Sequence, residues 1–362
     1  MAAGFYRLKV DKITRETPDA VSIRLLVPPP LKSLFEYKAG QYLTLRMELN
    51  GSDVRRSYSV CESPLIDPMP SVAVKEVPGG LMSPYLNREL KEGDLIEAMP
   101  PMGNFTLEPS ADQERNIVLY GGGSGITPLK SILKSVLHFE PKSRVVLVYA
   151  NRDAESVIFK AELEAMQSKF SDRFRIIESL DEPPAGWNGY SGRLNNDTLT
   201  SILNSLGFGA AEAHHYICGP SPMMRLIEDH LQGAGVGRDN IHLEYFTAVE
   251  KPKDESSDSS STAGGDADGE IVERSVSVEV FGEKKTITVS PDLSILEAAQ
   301  DAGMDPPYSC TVGVCTTCRA RLRSGQVHMD EREGLSDAEI DEGYVLTCQS
   351  HPLTDDVDLI YE

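Results

Sequence analysis

Four of the six cysteines lie close to the C-terminus, with a spacing that few structures satisfy. Cys310, Cys315 and Cys318 form a C-x4-C-x2-C pattern, and Cys348 follows well downstream. Cysteines in this pattern hold a [2Fe–2S] cluster, in which four thiolates bind two irons. Gly313 lies within the loop, where the lack of a side chain lets backbone amides approach the cluster sulfides. A structural zinc site is the alternative, although zinc usually pairs one C-x2-C with a second or with two histidines.

Charge and hydropathy exclude several classes of protein. The net charge is −21, and from Lys251 onward 9 Lys and Arg residues stand against 24 Asp and Glu residues, a difference of −15. Such an acidic chain is unsuited to nucleic acid, and its last third either steers a basic partner or only favours solubility. No apolar stretch approaches the roughly 18 residues of a membrane span, and no signal-peptide pattern opens the sequence. We therefore expect a cytoplasmic protein without a membrane partner, in which clustered cysteines bind metal.

Composition divides the chain into domains. Residues 251–270 contain no large apolar side chain, so we interpret 249–272 as a flexible acidic, Ser- and Gly-rich linker. Residues 1–110 alternate apolar and polar side chains between turn residues, which is typical of an antiparallel β-barrel or sandwich. Residues 111–248 alternate short apolar runs with helix-length segments, which predicts an α/β domain with a parallel sheet. The chain is therefore expected to be multidomain.

The clearest helices are predicted at Lys130–Phe139 and Ser156–Lys169 of the α/β domain. In residues 273–362 a predicted strand hairpin precedes Ser294-x-x-Glu297, which has the spacing of a capping box and opens a short helix. A hairpin, a helix and the cysteine loop predict a small α+β domain around the cluster.

Short motifs in the first domain have the residue types of a flavin site. In Arg56-Ser57-Tyr58-Ser59 an arginine can neutralise a pyrophosphate, a tyrosine offers a flat face to an isoalloxazine ring, and a small hydroxyl can hydrogen-bond near flavin N5. Gly80-Leu81-Met82-Ser83 lies where a helix is expected to begin, and free amides at such a point bind phosphate. Each motif alone is weak, since an isolated Arg-x-Tyr-Ser is usually only surface.

A glycine-rich segment in the second domain predicts a dinucleotide site. Gly121-Gly122-Gly123-Ser124-Gly125-Ile126-Thr127-Pro128 follows a predicted strand and precedes a helix, so that backbone can approach a pyrophosphate. The segment departs from G-x-G-x-x-G because a proline replaces the third glycine. Cys218-Gly219-Pro220 and Glu244-Tyr245-Phe246 follow further along the chain.

Taken in order, these motifs and Gly40-Gln41-Tyr42 resemble the ferredoxin–NADP⁺ reductase superfamily over residues 1–247. Residues 273–362 are similar to plant-type ferredoxins, which have a β-grasp fold. The resemblance implies FAD in the first domain, NAD(P)H in the second and a [2Fe–2S] cluster in the third. The implied flavin and nucleotide contacts are Arg56, Ser57, Tyr58, Ser59, Gly80, Leu81, Met82, Ser83, Gly123, Gly125, Thr127, Pro128, Arg152, Cys218, Gly219, Pro220 and Phe246.

The resemblance also implies roles for three residues in the reaction. Ser59 lies near flavin N5, Cys218 orients the nicotinamide, and Phe246 shields the flavin face that the nicotinamide approaches; Glu244 could serve in the same region. Without the family, Cys218 would be interpreted as a small buried filler and Phe246 as a core residue. Arg152 at a strand end, together with Arg193 and Ser156, favours NADPH over NADH, because an arginine accommodates the 2′-phosphate.

The domain order is similar to that of oxygenase reductases, and the details most resemble those of the phenylacetyl-coenzyme A epoxidase type. The implied activity is electron transfer from NAD(P)H through FAD and the cluster to an oxygenase. A reductase of a hybrid-cluster protein or of another redox enzyme is an alternative that differs only in the acceptor. A redox-sensing or scaffold module with vestigial sites is a third possibility, which the intact cysteines and Arg56-Ser57-Tyr58-Ser59 disfavour.

Overall fold

The computed structural model describes residues 4–246, the backbone of 261–263, and residues 270–361. The chain divides into two compact units. One comprises Phe5–Val54 and Tyr58–Glu244, and the other comprises Tyr245–Glu362 with two short pieces from the N-terminal part of the chain. Most of the predicted linker, 249–272, lies outside the described residues.

The N-terminal part forms a six-stranded antiparallel sheet that follows from alternating apolar side chains. Val21, Ile23 and Leu25 are buried, whereas Ser22 is half-buried and Arg24 and Leu26 are exposed, as the period of two requires. The strand order is β4-β3-β6-β1-β2-β5. A bridge between Val60, directly after β4, and Val72 of β5 joins the two edge strands, so the sheet closes as a barrel requires. The elements are β1 (Tyr6–Thr17), β2 (Ala20–Leu26), β3 (Tyr42–Leu49), β4 (Ser52–Ser59), β5 (Ser71–Lys75), α1 (Met82–Arg88) and β6 (Leu95–Ala98).

Residues 116–244 form the parallel sheet that the alternation of strands and helices predicts. Its order is β10-β9-β8-β7-β11-β12, and the adjacent strands pair in parallel. The sheet's apolar core is continuous with barrel residues such as Ala39 and Phe105. The elements are β7 (Asn116–Gly122), α2 (Ile126–Phe139), β8 (Arg144–Asn151), α3 (Lys160–Lys169), β9 (Phe174–Leu180), β10 (Tyr190–Ser191), α4 (Asn196–Asn204), β11 (Ala213–Cys218), α5 (Ser221–Gly233) and β12 (Ile241–Glu244).

Both predicted helices form, with different starting points. Helix α2 begins at Ile126, four residues before the predicted start, because the glycine-rich loop leads directly into it. Helix α3 begins at Lys160 rather than Ser156. The preceding residue, Phe159, has the left-handed backbone angles φ 62° and ψ 21°, which no right-handed helix can include.

The C-terminal unit has a five-stranded mixed sheet of order β15-β14-β20-β16-β18 and a three-stranded sheet of order β13-β17-β19. Helix α6 begins as the sequence predicts, with Ser294 and Glu297 forming a reciprocal capping box. The hairpin, helix and mixed sheet agree with the predicted α+β domain. The elements are β13 (Ser261–Ala263), β14 (Arg274–Val280), β15 (Glu283–Val289), α6 (Ile295–Asp301), β16 (Arg319–Ser324), β17 (Val327–Met329), α7 (Asp337–Asp341), β18 (Tyr344–Leu346), β19 (Ser350–Pro352) and β20 (Asp358–Tyr361).

None of the helices within the described ranges has both the length and the apolar character that crossing a membrane demands.

Candidate cofactor sites

The four C-terminal cysteines converge, although Cys348 comes from a different segment of the chain. Side-chain hydrogen bonds join the Cys310 sulfur to those of Cys315 and Cys348, and Cys348 is also joined to Cys318. Hydrogen bonds from Cys315 and Cys348 lower the pKa of Cys310, and the Val312 backbone N–H donates to its sulfur at 3.5 Å. None of these cysteines forms a disulfide. The group therefore offers sulfur ligands, one of them favoured as thiolate, at one place in the fold.

The loop around these sulfurs depends on an unusual backbone. Thr311 and Gly313 have positive φ angles of 56° and 78°. A Cβ on Gly313 would lie 2.8 Å from the Cβ of Glu331, so only glycine fits the close approach of these two segments. The neighbour that requires glycine here is the Glu331 side chain, and the approach of backbone amides to cluster sulfides stays a prediction.

The cysteine arrangement distinguishes the two metal alternatives. A structural zinc site usually pairs one C-x2-C with a second C-x2-C or with two histidines. Here three cysteines come from one loop and the fourth is a lone cysteine from a distant segment, which is the ligand set of a two-iron cluster. The residues therefore fit a [2Fe–2S] cluster better than zinc.

The predicted flavin motif lies at the end of β4, whose last residue is Ser59. Ser59 is buried, yet its Oγ has no hydrogen-bond partner in the described part of the chain. A buried hydroxyl without a partner is costly, so a ligand acceptor or donor at this point fits it well. Tyr58 packs against the barrel core, whereas Arg56 is exposed on the same strand with Ser57 between them. The predicted residues thus fit a flavin at this end of β4.

The second flavin motif lies at the start of α1. Leu81 occupies the N-cap position without a side-chain cap, so the first amides of the helix are open to a ligand. The Ser83 hydroxyl accepts a hydrogen bond from the Val77 backbone N–H at 3.0 Å and so fixes the loop containing Gly80. The Met82 side chain is buried in the barrel core. Met82 can therefore meet a phosphate only through its backbone.

The predicted dinucleotide loop lies where the strand order of the parallel sheet changes direction. After β7 the chain adds β8, β9 and β10 on one side, and β11 and β12 on the other. Ligands of open α/β sheets bind at such a point, outside the carboxyl ends of the strands. The glycine-rich loop ends β7 and Cys218-Gly219-Pro220 ends β11, so the two predicted nucleotide motifs lie side by side.

Glycines allow the loop after β7 and the end of β11 to approach each other closely. A Cβ on Gly125 would lie 2.0 Å from the carbonyl oxygen of Cys218, and one on Gly122 would lie 2.6 Å from Cδ of Pro220. Thr127 Oγ1 donates to the Ser124 carbonyl at 3.0 Å, and Pro128 lies in the first turn of α2. Gly123 has φ +52° and an open position where its Cβ would be. The loop therefore presents bare backbone, as a pyrophosphate site requires.

Cys218 and Glu244 face each other across the sheet. They are register partners in the parallel pair β11–β12. Burial, with a smaller contribution from Glu244, raises the pKa of the Cys218 thiol, so the thiol stays protonated. Burial also raises the pKa of Glu244 to about 8, and its Oε2 has no hydrogen-bond partner among the described residues. Phe246 follows β12 with 39% of its surface exposed.

The predicted specificity residues follow β8. Arg152 Nε contacts Asp153 Oδ2 at 2.8 Å, and the same aspartate forms a capping box with Ser156. Arg193 is 91% exposed and lies 3.6 Å from Asp181. Asn151, which was not identified from the sequence, is buried with its Oδ1 unpartnered among the described residues. Its place as the last residue of β8, immediately before Arg152, was the signal that could have identified it.

Comparisons with known proteins match the three regions in order. Residues 7–107 match the oxidoreductase FAD-binding domain, residues 119–229 the oxidoreductase NAD-binding domain, and residues 278–353 the 2Fe-2S iron-sulfur cluster binding domain. These matches confirm the predicted cofactor classes and their order along the chain.

Similar proteins extend over nearly the whole length. The chain is 34% identical over 363 residues to a subunit of the 1,2-phenylacetyl-CoA epoxidase of Escherichia coli K12, covering 98% of this chain and 96% of that protein. It is 35% identical over 350 residues to the ferredoxin reductase component of 3-ketosteroid-9-alpha-monooxygenase of Rhodococcus rhodochrous, covering 96% and 94%. Among solved structures, phthalate dioxygenase reductase is similar with a TM-score of 0.59 and 25% identity, covering 99% of this chain and 98% of that chain.

Proposed function

We propose an electron acceptor for this chain on one premise: the chain belongs to the family of oxygenase reductases that join FAD-, NAD- and [2Fe–2S]-binding domains. It takes electrons from a nicotinamide dinucleotide and delivers them to an oxygenase. Our proposal is that this oxygenase is a phenylacetyl-CoA epoxidase. The observation that carries it is the similarity to the epoxidase protein of Escherichia coli, which extends over 98% of this chain.

Bound FAD would accept two electrons from the nicotinamide and release them singly to the two-iron cluster. We propose that Tyr58 and Ser59 orient the flavin ring, with the unpartnered Ser59 hydroxyl as its hydrogen-bonding group. Arg56 and the open amides around Met82 would bind its phosphates. These side chains hold and orient the flavin, and the flavin itself supplies the redox chemistry.

In the nucleotide domain we propose that the bare backbone of Gly123–Gly125 receives the pyrophosphate, with Thr127 and Pro128 fixing the start of α2. Cys218, kept neutral by burial, would present a small uncharged thiol beside the nicotinamide, with Gly219 and Pro220 completing the wall. Phe246 would be the aromatic that the incoming nicotinamide displaces.

We propose NADPH as the preferred coenzyme, with NADH as the alternative. Arg152 is exposed and held at the end of β8 by its contact with Asp153, so its outer guanidinium nitrogens can meet a 2′-phosphate. Replacing Arg152 with alanine should raise the KM for NADPH about tenfold and leave that for NADH nearly unchanged. Equal effects on both coenzymes would contradict this preference.

A cytoplasmic location is also proposed, because four reduced cysteines must reach the assembling cluster. The acceptor is tested with the purified reductase, NADPH and candidate oxygenase components, one of them a phenylacetyl-CoA epoxidase oxygenase. Reduction of the epoxidase at least about tenfold faster than that of a 3-ketosteroid monooxygenase or a hybrid-cluster protein supports the proposal. Preference for either of the others refutes it, and failure to reduce even cytochrome c would indicate the scaffold alternative.

A further inference from the structure

Helix α2 connects the dinucleotide loop to the flavin barrel. Its N-terminus follows Gly123–Gly125, and its polar residues contact the barrel loop that leads from β4 to β5. Ser131 Oγ donates to the Glu62 carbonyl oxygen at 2.6 Å, and the Ser63 and Ser135 hydroxyls lie 2.8 Å apart. One end of the helix therefore carries the nucleotide motif while its side holds the segment immediately after the flavin strand.

A cluster of charged side chains reinforces this contact. We call it the carboxylate–lysine cluster, and it consists of Glu62, Asp67, Lys130, Lys134 and Glu162. Lys130 Nζ lies 2.8 Å from Glu62 Oε1 and 2.7 Å from Glu162 Oε2. Lys134 Nζ contacts Glu62 and lies 2.8 Å from Asp67 Oδ2 and 3.3 Å from Glu162 Oε1. Two lysines of α2 thus bridge two carboxylates of the barrel and one of α3.

Lys130, at the centre of the cluster, is unusually buried for a lysine. The Lys130 side chain is only 1% exposed, and its ammonium lies 4.2 Å from the centroid of the Phe159 ring. Burial alone lowers the pKa of Lys130, but its interactions with Cys61, Glu62 and Glu162 raise the pKa by more, and the lysine stays charged. Phe159 is the residue with the left-handed backbone before α3. A buried ion bridge and a strained residue occur together at this contact between α2, the barrel loop and α3. We infer that they fix how α2 is positioned against the barrel loop.

We propose that Glu62 is a positioning residue for hydride transfer, holding α2 through Lys130 and Lys134 so that the nicotinamide lies at the correct distance from the flavin. This inference rests on the proposed function only for the order of electron flow, because reduction of the flavin by NADPH needs no protein acceptor. Hydride transfer is sensitive to distance, and a displacement of about 1 Å can slow a reaction on the order of a hundredfold. A loosened contact between α2 and the barrel loop would have such an effect while both cofactors stay bound.

The chain offers a matched pair of substitutions. Glu62→Ala removes a carboxylate that the barrel contributes, whereas Glu162→Ala removes one that α3 of the nucleotide domain contributes. Each variant leaves the two lysines opposite two carboxylates, so the local charge changes equally. Glu62→Gln keeps an oxygen acceptor at the same place and serves as the conservative variant.

The experiment mixes each purified holoenzyme with NADPH in a stopped-flow instrument and follows flavin absorbance and the long-wavelength charge-transfer band. Glu62→Ala should slow flavin reduction about tenfold and weaken the charge-transfer band, with the dissociation constant for NADP⁺ changed less than about twofold. Glu162→Ala should remain within about twofold of the wild type, and Glu62→Gln should recover part of the loss. Hydrogen–deuterium exchange should accelerate at residues 60–67 in Glu62→Ala alone.

Three outcomes would overturn the proposal. The first is an unchanged flavin-reduction rate in Glu62→Ala, and the second is an equal loss in Glu62→Ala and Glu162→Ala. The third is release of FAD from Glu62→Ala while the remaining bound flavin is reduced at the wild-type rate, which would assign Glu62 to barrel stability alone. A different terminal acceptor would affect none of these measurements.

Discussion

The glycine-rich loop after β7 lies so close to the end of β11 that Gly125→Ala should disturb both segments. The new Cβ would lie 2.0 Å from the Cys218 carbonyl oxygen and 2.8 Å from the Gly219 backbone nitrogen. Carbon and oxygen atoms in contact need about 3.0 Å or more, so the two loops must separate by roughly 1 Å. Both neighbours are backbone atoms, at the buried end of β11 and directly after it, and they cannot rotate away as a side chain would. Overpacking of this kind costs about 1–3 kcal/mol.

The functional effect should exceed the effect on stability. A shift of about 1 Å between the pyrophosphate loop and Cys218 separates the two motifs that must act on one dinucleotide, so we expect NADPH to reduce the flavin about a hundredfold more slowly. Stopped-flow reduction by NADPH measures this rate, and chemical reduction by dithionite should proceed normally. Gly237→Ala is the control in the same domain, since its Cβ would enter open space, its φ of −67° suits any residue, and it lies outside the dinucleotide loop. Wild-type flavin reduction in Gly125→Ala would refute this account of the site.

Two further predictions concern the cluster and the buried carboxyl. Cys315→Ser should abolish the iron–sulfur absorbance and most of the bound iron, while NADPH still reduces the flavin. Cys61→Ser, which lies outside the cluster, should retain the iron. Iron analysis measures the bound iron, and stopped-flow spectra measure flavin reduction. Glu244 has its pKa raised to about 8, so the folded protein holds a proton that the unfolded chain releases near pH 4.5, and stability falls as the pH rises between these values. Between pH 6 and pH 8 the free energy of unfolding of Glu244→Gln should therefore rise by about 2 kcal/mol relative to that of the wild type. The difference in melting temperature between the two proteins should widen over this range. A constant difference would contradict the buried, protonated carboxyl.

Local patterns in the sequence were sufficient to predict much of the fold. The alternation around Val21–Leu25 needs only a period of two, and the capping box at Ser294 needs only two residues three positions apart. The cysteine spacing likewise predicts its own site, because three of the four ligands come from one loop. The start of α3 was mispredicted because the left-handed conformation of Phe159 has no signature in its sequence, where glycine or asparagine would be usual.

The charges on α2 show where local reasoning ends. Lys130 and Lys134 are one helical turn apart, a spacing that on a single helix ordinarily indicates a face toward solvent. Here the helix is buried on two sides, with Leu129 and Ile132 in the apolar core and the lysines against the barrel loop. Their partner Glu62 lies 68 residues before Lys130, so no pattern within the helix could predict the pairing. The same helix also begins at the glycine-rich loop, and its polar face therefore links the flavin strand to the dinucleotide motif, a connection that only the tertiary structure contains.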